Sequence, residues 1–277
     1  MQTTPPASAT ATTPGLASHP LGDRLRGAML RTVTEYRLIE PGDRILVAIS
    51  GGKDSYTMLD LLGQARRRAP IRFDLLAFHL DQGQPGYDGE PLRAWLERSE
   101  IPFEIASRDT YTTVVAETEE GAAFCRVCSR LRRAELYQAA DRHGCNKVSL
   151  GHHRDDALET LLLNLFYAGR LQAMPAVYRT NHGTLQVIRP LIECGEAEIA
   201  AHAAEARYPI LPCRLCGTQE NLKRDRVAGL LADLEREIPD LRAVMLAALK
   251  NVRASHLLDA ELADAWESQA DRFPPRR

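Results

Sequence analysis

Ser50-Gly51-Gly52-Lys53-Asp54-Ser55 gathers two glycines, two hydroxyls, a carboxylate and a lysine into one short stretch, a set suited to holding phosphate. Glycines let backbone N–H groups approach an anion, and a helix starting after them adds unpaired donors and partial positive charge. Lys53 would neutralise charge developing on a departing phosphate group. The Walker A loop is excluded, because it needs glycine where Val47 stands and Ser or Thr where Asp54 stands. A plain glycine turn, with Asp54 or Ser55 capping a helix, is the simpler alternative.

A second cluster, Gly151-His152-His153-Arg154-Asp155-Asp156, carries adjacent carboxylates. Mg²⁺ takes octahedral oxygen ligands and is commonly held by ~1–2 carboxylates plus phosphate oxygens. Asp155 is therefore the expected ligand or active-site acid, with Gly151 and Asp156 joining Ser50 to Ser55 around the bound phosphates. An acidic first helical turn is the competing explanation. His79, His152 and His153 read as structural or supporting residues.

Two C-x-x-C pairs, Cys125/Cys128 and Cys213/Cys216, stand far apart, whereas a zinc ribbon usually separates its pairs by only ~15–20 residues. The fold must bring them together if they share a ligand. A four-thiolate zinc site, a redox pair and an iron–sulfur cluster all remain open, with zinc favoured by the residues alone and buried unliganded thiols as the bland alternative. Cys145 and Cys194 lack partners at useful spacing and read as packing residues. Arg126, Arg130, Arg132 and Arg133 surround the first pair, and Lys223, Arg224 and Arg226 follow the second. Such guanidinium groups suit a phosphate backbone, or simply a solvated helix face.

The elements that must position these groups follow from periodicity. Arg44 to Ile49, Phe73 to Leu80, Phe103 to Ile105 and Lys147 to Leu150 read as strands. Helical patterns precede and separate them, including Glu90 to Arg98 and about Cys128 to His143. That cadence predicts an α/β fold with a doubly wound, mostly parallel sheet. The Ser50, Asp81-to-Gly86 and Gly151 segments each follow a strand, so all should face the crevice at the sheet's carboxyl end. The helix carrying Leu158, Leu161, Leu162, Leu165 and Phe166 should be buried on most sides. From Leu222 onward two amphipathic helices predict a helical appendage. The expected division is a disordered tail over 1–20, a phosphate-binding α/β domain over 21–218 carrying both C-x-x-C pairs, an appendage over 219–260 and a flexible tail over 261–277.

The chain has 277 residues, 44% hydrophobic and 26% charged, with net charge −2. This is ordinary for a soluble globular protein and gives no global basic field, although a local basic face would suffice for RNA. No apolar run approaches the ~20 residues needed to span a bilayer. Residues 1–20 lack the pattern of a secretory signal, so reduced thiols and a cytoplasmic location are expected.

The Ser50–Ser55 loop resembles the PP-loop of ATP pyrophosphatases, which split ATP between its α and β phosphates and adenylate a substrate. Taken with Leu80-Asp-Gln82, Gln84-Pro-Gly86, Cys125-x-x-Cys-Ser-Arg-Leu-Arg-Arg133, Gly151-His-His-Arg-Asp-Asp156 and Pro212-Cys-x-x-Cys-Gly217, the chain resembles the tRNA 2-thiocytidine synthetase family. The resemblance spans about residues 22 to 256. It implies Mg²⁺- and ATP-dependent thiolation of cytidine 32 in tRNA, with Lys53 and Asp155 catalytic and a [4Fe-4S] cluster held by three cysteines. Carried over, these are Cys125, Cys128 and one of Cys213 and Cys216, with Cys216 preferred because Gly217 eases close backbone approach. The implied partners are tRNA, contacted by Arg126, Arg130, Arg132, Arg133 and Arg224, and a cysteine desulfurase supplying sulfur. A homodimer is also expected, and no membrane. The rivals are an adenylating ligase or amidating synthetase with structural zinc, and a non-catalytic RNA-binding or redox protein with a decayed loop.

Overall fold

The computed structural model describes residues 20–117, 125–181, 183, 185–211 and 220–268. In chain order the elements are α1 (Pro20–Glu35), β1 (Arg44–Ile49), α2 (Lys53–Arg68), β2 (Asp74–Asp81), α3 (Glu90–Arg98), β3 (Phe103–Ser107), α4 (Thr110–Glu117), α5 (Cys125–Arg142) and β4 (Lys147–Ser149). They continue with α6 (Arg154–Tyr167), β5 (Val177–Arg179), β6 (Gln186–Ile188), α7 (Glu196–Ala206), α8 (Glu220–Glu237), α9 (Leu241–Lys250) and α10 (Ala260–Glu267).

The strands form one six-stranded sheet in the order β3-β2-β1-β4-β6-β5. All neighbours are parallel except β5 and β6. β1 shows why such a run stays buried. Ile45, Val47 and Ile49 enter the core on one face with α1, α2 and α7, while Leu46 faces Leu136, Ala139 and Ala140 of α5 on the other. Period-two alternation between two apolar layers makes the strand apolar throughout. The chain runs from β1 outward through β2 to β3, then crosses back to place β4 on the opposite side of β1. That reversal is the topological switch point where α/β sheets bind ligands.

The structure adds to the sequence reading in several places. α4 lies between β3 and α5, and α5 begins at Cys125 rather than near Cys128. α6 is buried along Leu158, Leu161 and Leu162, yet Leu165, Phe166 and Tyr167 at its end are exposed, correcting the expectation of burial on most sides. α10 covers the beginning of the 261–277 stretch, and residues 269–277, like 1–19 of the expected N-terminal tail, lie outside the described residues. The C-terminal region is helical, as expected, and α8 and α9 pack on α6: Val227 and Leu231 join Leu158 and Leu162 in one cluster, with Leu241, Met245 and Leu249 against it. No helix among the described residues is long and apolar enough to cross a membrane.

Candidate active site at the switch point

Ser50 to Ser55 form the turn from β1 into α2. Gly51 has φ +85°, and a Cβ there would lie 2.9 Å from Leu211 Cδ1. Both facts demand glycine. Gly52 caps α2 in extended conformation without a capping side chain, so the helix presents its first-turn amides and dipole to an outside acceptor. The loop is tied internally. Ser55 Oγ donates to Gly52 O (2.8 Å) and Ser50 N donates to Ser55 Oγ (3.2 Å). Ser55 is buried and Ser50 exposed, so Ser50 is the hydroxyl open to a ligand in this state.

Lys53 Nζ donates to Glu196 Oε1 at 2.9 Å and lies 3.3 Å from Asp54 Oδ1. Burial opposes its charge, but the Glu196 hydrogen bond and the two carboxylate charges prevail and hold its pKa above the ordinary lysine value. Asp54 is held above the ordinary carboxylate value, burial outweighing the Lys53 and His153 charges. Its Oδ1 is buried without a hydrogen-bond partner. Lys53 and Oδ1 are close enough for ion pairing but misaligned for a hydrogen bond, so the oxygen is undersatisfied.

The Gly151–Asp156 turn from β4 into α6 rests directly on this loop. A Cβ on Gly151 would approach the Asp54 carbonyl carbon and Ser55 nitrogen at 3.2 Å. His153 caps α6: its ring accepts from Asp156 N, and Asp156 Oδ2 accepts from His153 N at 3.0 Å. Asp155 is buried with both oxygens engaged, Oδ2 by Glu196 N and Oδ1 by Arg242 Nη1, each at 2.8 Å. It supplies the cap that Gly195 lacks at α7. Behind His152, the buried Arg189 donates from Nε to His152 Nδ1 at 3.1 Å. Arg224 pairs with Glu159 at 3.3 Å and Asp156 at 3.8 Å, so part of its charge is already offset by protein carboxylates.

Cys125 and Cys128 share the first turn of α5. The buried Cys128 thiol donates to Gln82 Oε1 at 3.2 Å and accepts from Arg132 Nη2 at 3.5 Å. Gln82 follows β2, so this thiol too stands at the sheet's carboxyl edge. Cys213 and Cys216, and the side chains of Cys125 and Arg126, lie outside what is described. Leu211 N donates to Gly51 O at 2.9 Å. Leu211, the last described residue before the second thiol pair in sequence, is thereby held beside the loop. Among the described residues no three His, Cys, Asp or Glu side chains converge on a metal-sized point. Arg130 and Arg133 are exposed on α5 and Arg132 is half-buried.

Glu196, Arg189 and Arg242 escaped the sequence reading. Each lies outside a recognisable motif, and only the fold brings them to the switch point.

A family model for the PP-loop domain matches residues 27–210. The chain is 53% identical over 239 residues to a tRNA-cytidine(32) 2-sulfurtransferase of Sorangium cellulosum, covering 86% of this chain and 84% of that protein. It is 45% identical over 241 residues to the protein of the same name from Coxiella burnetii, covering 87% and 94%. Among solved structures it resembles the U34-tRNA thiolase NcsA from Methanococcus maripaludis with its [4Fe-4S] cluster. The TM-score is 0.65 at 18% identity, over 90% of this chain and 88% of that one, a likeness of fold.

Proposed function

The chain belongs to the PP-loop family and, within it, to the tRNA-cytidine(32) 2-sulfurtransferases, and we propose that it thiolates C2 of that cytidine through an adenylated intermediate. The cytidine C2 oxygen attacks the α-phosphorus of ATP and pyrophosphate leaves. Hydrosulfide sulfur then attacks C2, AMP departs with the oxygen, and loss of the sulfur-bound proton leaves the thiocarbonyl. The amides at the start of α2 and the Ser50 hydroxyl cradle phosphate oxygens. Lys53, released from Glu196, offsets the charge on pyrophosphate.

Asp54 fits a magnesium ion, because its buried Oδ1 lacks a hydrogen-bond partner beside the phosphate cradle. Asp155, expected from sequence as ligand or acid, has both oxygens engaged by protein. Its proposed part is therefore to hold Glu196 and Arg242. When bound, Mg²⁺ supplies charge neutralisation between phosphate oxygens. A C-x-x-C spacing at the start of α5, with Arg132 donating to Cys128, suits thiolate ligands. Cys125, Cys128 and Cys216, or Cys213 in its place, would hold a [4Fe-4S] cluster. When bound, that group supplies an open iron position for sulfur. The proposal includes a cysteine desulfurase as sulfur source, a homodimer and a cytoplasmic setting.

The observation that carries the reading is the contact between Gly151 and the first turn of α2, which brings the two motifs flanking the switch point into one place. The test is anaerobic incubation of the purified protein with tRNA, Mg-ATP and a sulfide source, followed by nucleoside mass spectrometry. 2-Thiocytidine with stoichiometric AMP and pyrophosphate is expected, and Lys53→Ala should lose both. A colourless zinc protein without iron or acid-labile sulfide would favour the adenylating ligase instead.

A further inference from the structure

Arg189 leaves the carboxyl end of β6 and is only 7% exposed. Among the described residues it has no ion-pair partner. Nε donates to His152 Nδ1 (3.1 Å), Nη1 donates to Pro175 O (2.8 Å), and the guanidinium carbon lies 5.2 Å from the Tyr178 ring centroid. A buried cation set against an imidazole, a carbonyl and a ring is costly to desolvate, and a structural tie could be made by a neutral side chain. Its chemistry explains what a neutral side chain could not do. Guanidinium nitrogens donate and never accept, and arginine does not deprotonate in proteins. His152 Nδ1 must therefore be the acceptor, which puts the imidazole proton on Nε2.

The placement gives that proton a use. Ser149 of β4 pairs with Ile188 of β6, so Arg189 and the Gly151–His153 turn leave the sheet side by side. Gly151 meanwhile touches the start of α2. His152 thus stands beside the phosphate cradle, and its Nε2 has no hydrogen-bond partner among the described residues. The charged and titratable groups facing it are Arg189 beyond β6, Asp156 and His153 at the start of α6, and Arg224 of α8.

We propose that Arg189 is a positioning residue that fixes His152 as a neutral imidazole protonated on Nε2, and that this N–H donates to an oxygen of the reacting nucleotide. The second half rests on the proposed adenylation. A neutral donor stabilises developing negative charge without delivering a proton to the sulfur nucleophile, which an imidazolium would do. Burial and the Arg189 charge also hold His152 at about 4, well below the ordinary histidine value.

Nitrogen NMR of histidine-labelled full-length protein tests the lock without turnover. In the wild type, His152 should be the neutral Nε2–H tautomer across about pH 6 to 8, above its depressed pKa. In Arg189→Met its pKa should rise, with burial still holding it below the ordinary ~6.5, and the tautomers should be mixed. Arg189→Lys, which keeps an obligate donor, should restore the wild-type signal. An Nδ1–H tautomer or ordinary titration in the wild type overturns the lock, as does an unchanged spectrum in Arg189→Met. The donor role is read from turnover. His152→Ala should lower kcat by ~10²–10³, the cost of removing one oxyanion-type donor, while His152→Gln, which offers an N–H at similar reach, recovers most of it. Arg189→Met should add an acidic limb to the pH profile. Equal activity of the Ala and Gln variants overturns the donor. A wild type that makes no 2-thiocytidine at all defeats the proposed function, while the NMR result on Arg189 stands apart.

Discussion

At the scale of single residues, Glu196 competes for the lysine of the phosphate cradle. Its carboxylate occupies Lys53, with side chains 48% and 27% exposed, so ATP must displace it. Half-exposed pairs contribute only ~0–1 kcal/mol. Glu196→Gln should therefore tighten binding of a non-hydrolysable ATP analogue by ~2–5-fold, measured by calorimetry. Weaker binding would mean that Glu196 positions Lys53 rather than competing for it. Asp54 carries the opposite burden. Its folded-state pKa is raised, so between the ordinary carboxylate value and that raised value the folded protein binds more protons than the unfolded chain. Ligand-free stability then falls as pH rises through that window and stays lowered above it. Asp54→Asn should raise the melting temperature of the ligand-free protein at neutral pH, ~1 kcal/mol reading as ~2–4 °C for a domain of this size. The gain should vanish below the ordinary aspartate value of ~3.9. Saturating Mg-ATP should reverse the order, because on the proposed magnesium role of Asp54 only the wild type gains the metal contact. A lower melting temperature for the ligand-free variant would show that the Lys53 attraction outweighs burial.

At the scale of elements, the crevice depends on how closely the turn after β4 sits on α2. Gly151→Ala places a Cβ 3.2 Å from backbone atoms of Asp54 and Ser55, and backbone cannot swing aside as a side chain can. A cost of ~1–3 kcal/mol is expected from such overpacking, read as a shift in urea midpoint, together with a fall in ATP affinity because the cradle itself must move. Unchanged affinity at reduced stability would detach the turn from nucleotide binding. This joint was half legible in the sequence. β1 and α3 match their sequence ranges, because apolar runs and glycine or proline boundaries agree there with the tertiary environment. β5 and β6 span three residues each, too short for a period to register. α7 is alanine-rich, and only Ile199, His202 and Ala203 are buried, so it shows little apolar contrast. β4 stands where a strand from Lys147 to Leu150 is expected, even though its first residue is charged. Burial of that charge is made tolerable by partners the sequence does not show, Nζ lying 2.7 Å from Asp43 Oδ2 and donating to Leu38 O at 3.0 Å. The motifs at the switch point were visible because chemistry fixes their residue types. Arg189, Glu196 and Arg242 were not, because their meaning comes from partners distant in sequence.

At the scale of the whole molecule, the C-terminal helices are bolted to the nucleotide site by charge as well as by apolar packing, and the two bolts differ in weight. Lys250 of α9 reaches Glu193 and Glu35 at 2.6 and 2.8 Å. Burial opposes its charge, but these hydrogen bonds outweigh it and raise its pKa; the lysine is 30% and Glu35 48% exposed. Water can replace much of that pairing. Arg242 spans Glu235 and Asp155, with the arginine 14% and Asp155 5% exposed. Removing it strands a buried carboxylate that water reaches poorly, and breaking such a pair from one side costs ~3–5 kcal/mol. Arg242→Ala should therefore lower stability by ~2–4 kcal/mol, the lower bound allowing for partial solvent entry. Lys250→Ala should cost ~1 kcal/mol or less. The same asymmetry should reach function. Asp155 also accepts from Glu196 N, and Glu196 holds Lys53, so loosening Arg242 disturbs the cradle while loosening Lys250 does not. Urea midpoints and ATP-analogue affinities for the two variants check both levels. Equal stability losses would mean that apolar packing of α8 and α9 on α6 dominates the joint. A stability loss confined to Arg242→Ala without a change in ATP affinity would make Asp155 a structural anchor whose strain stops short of Lys53.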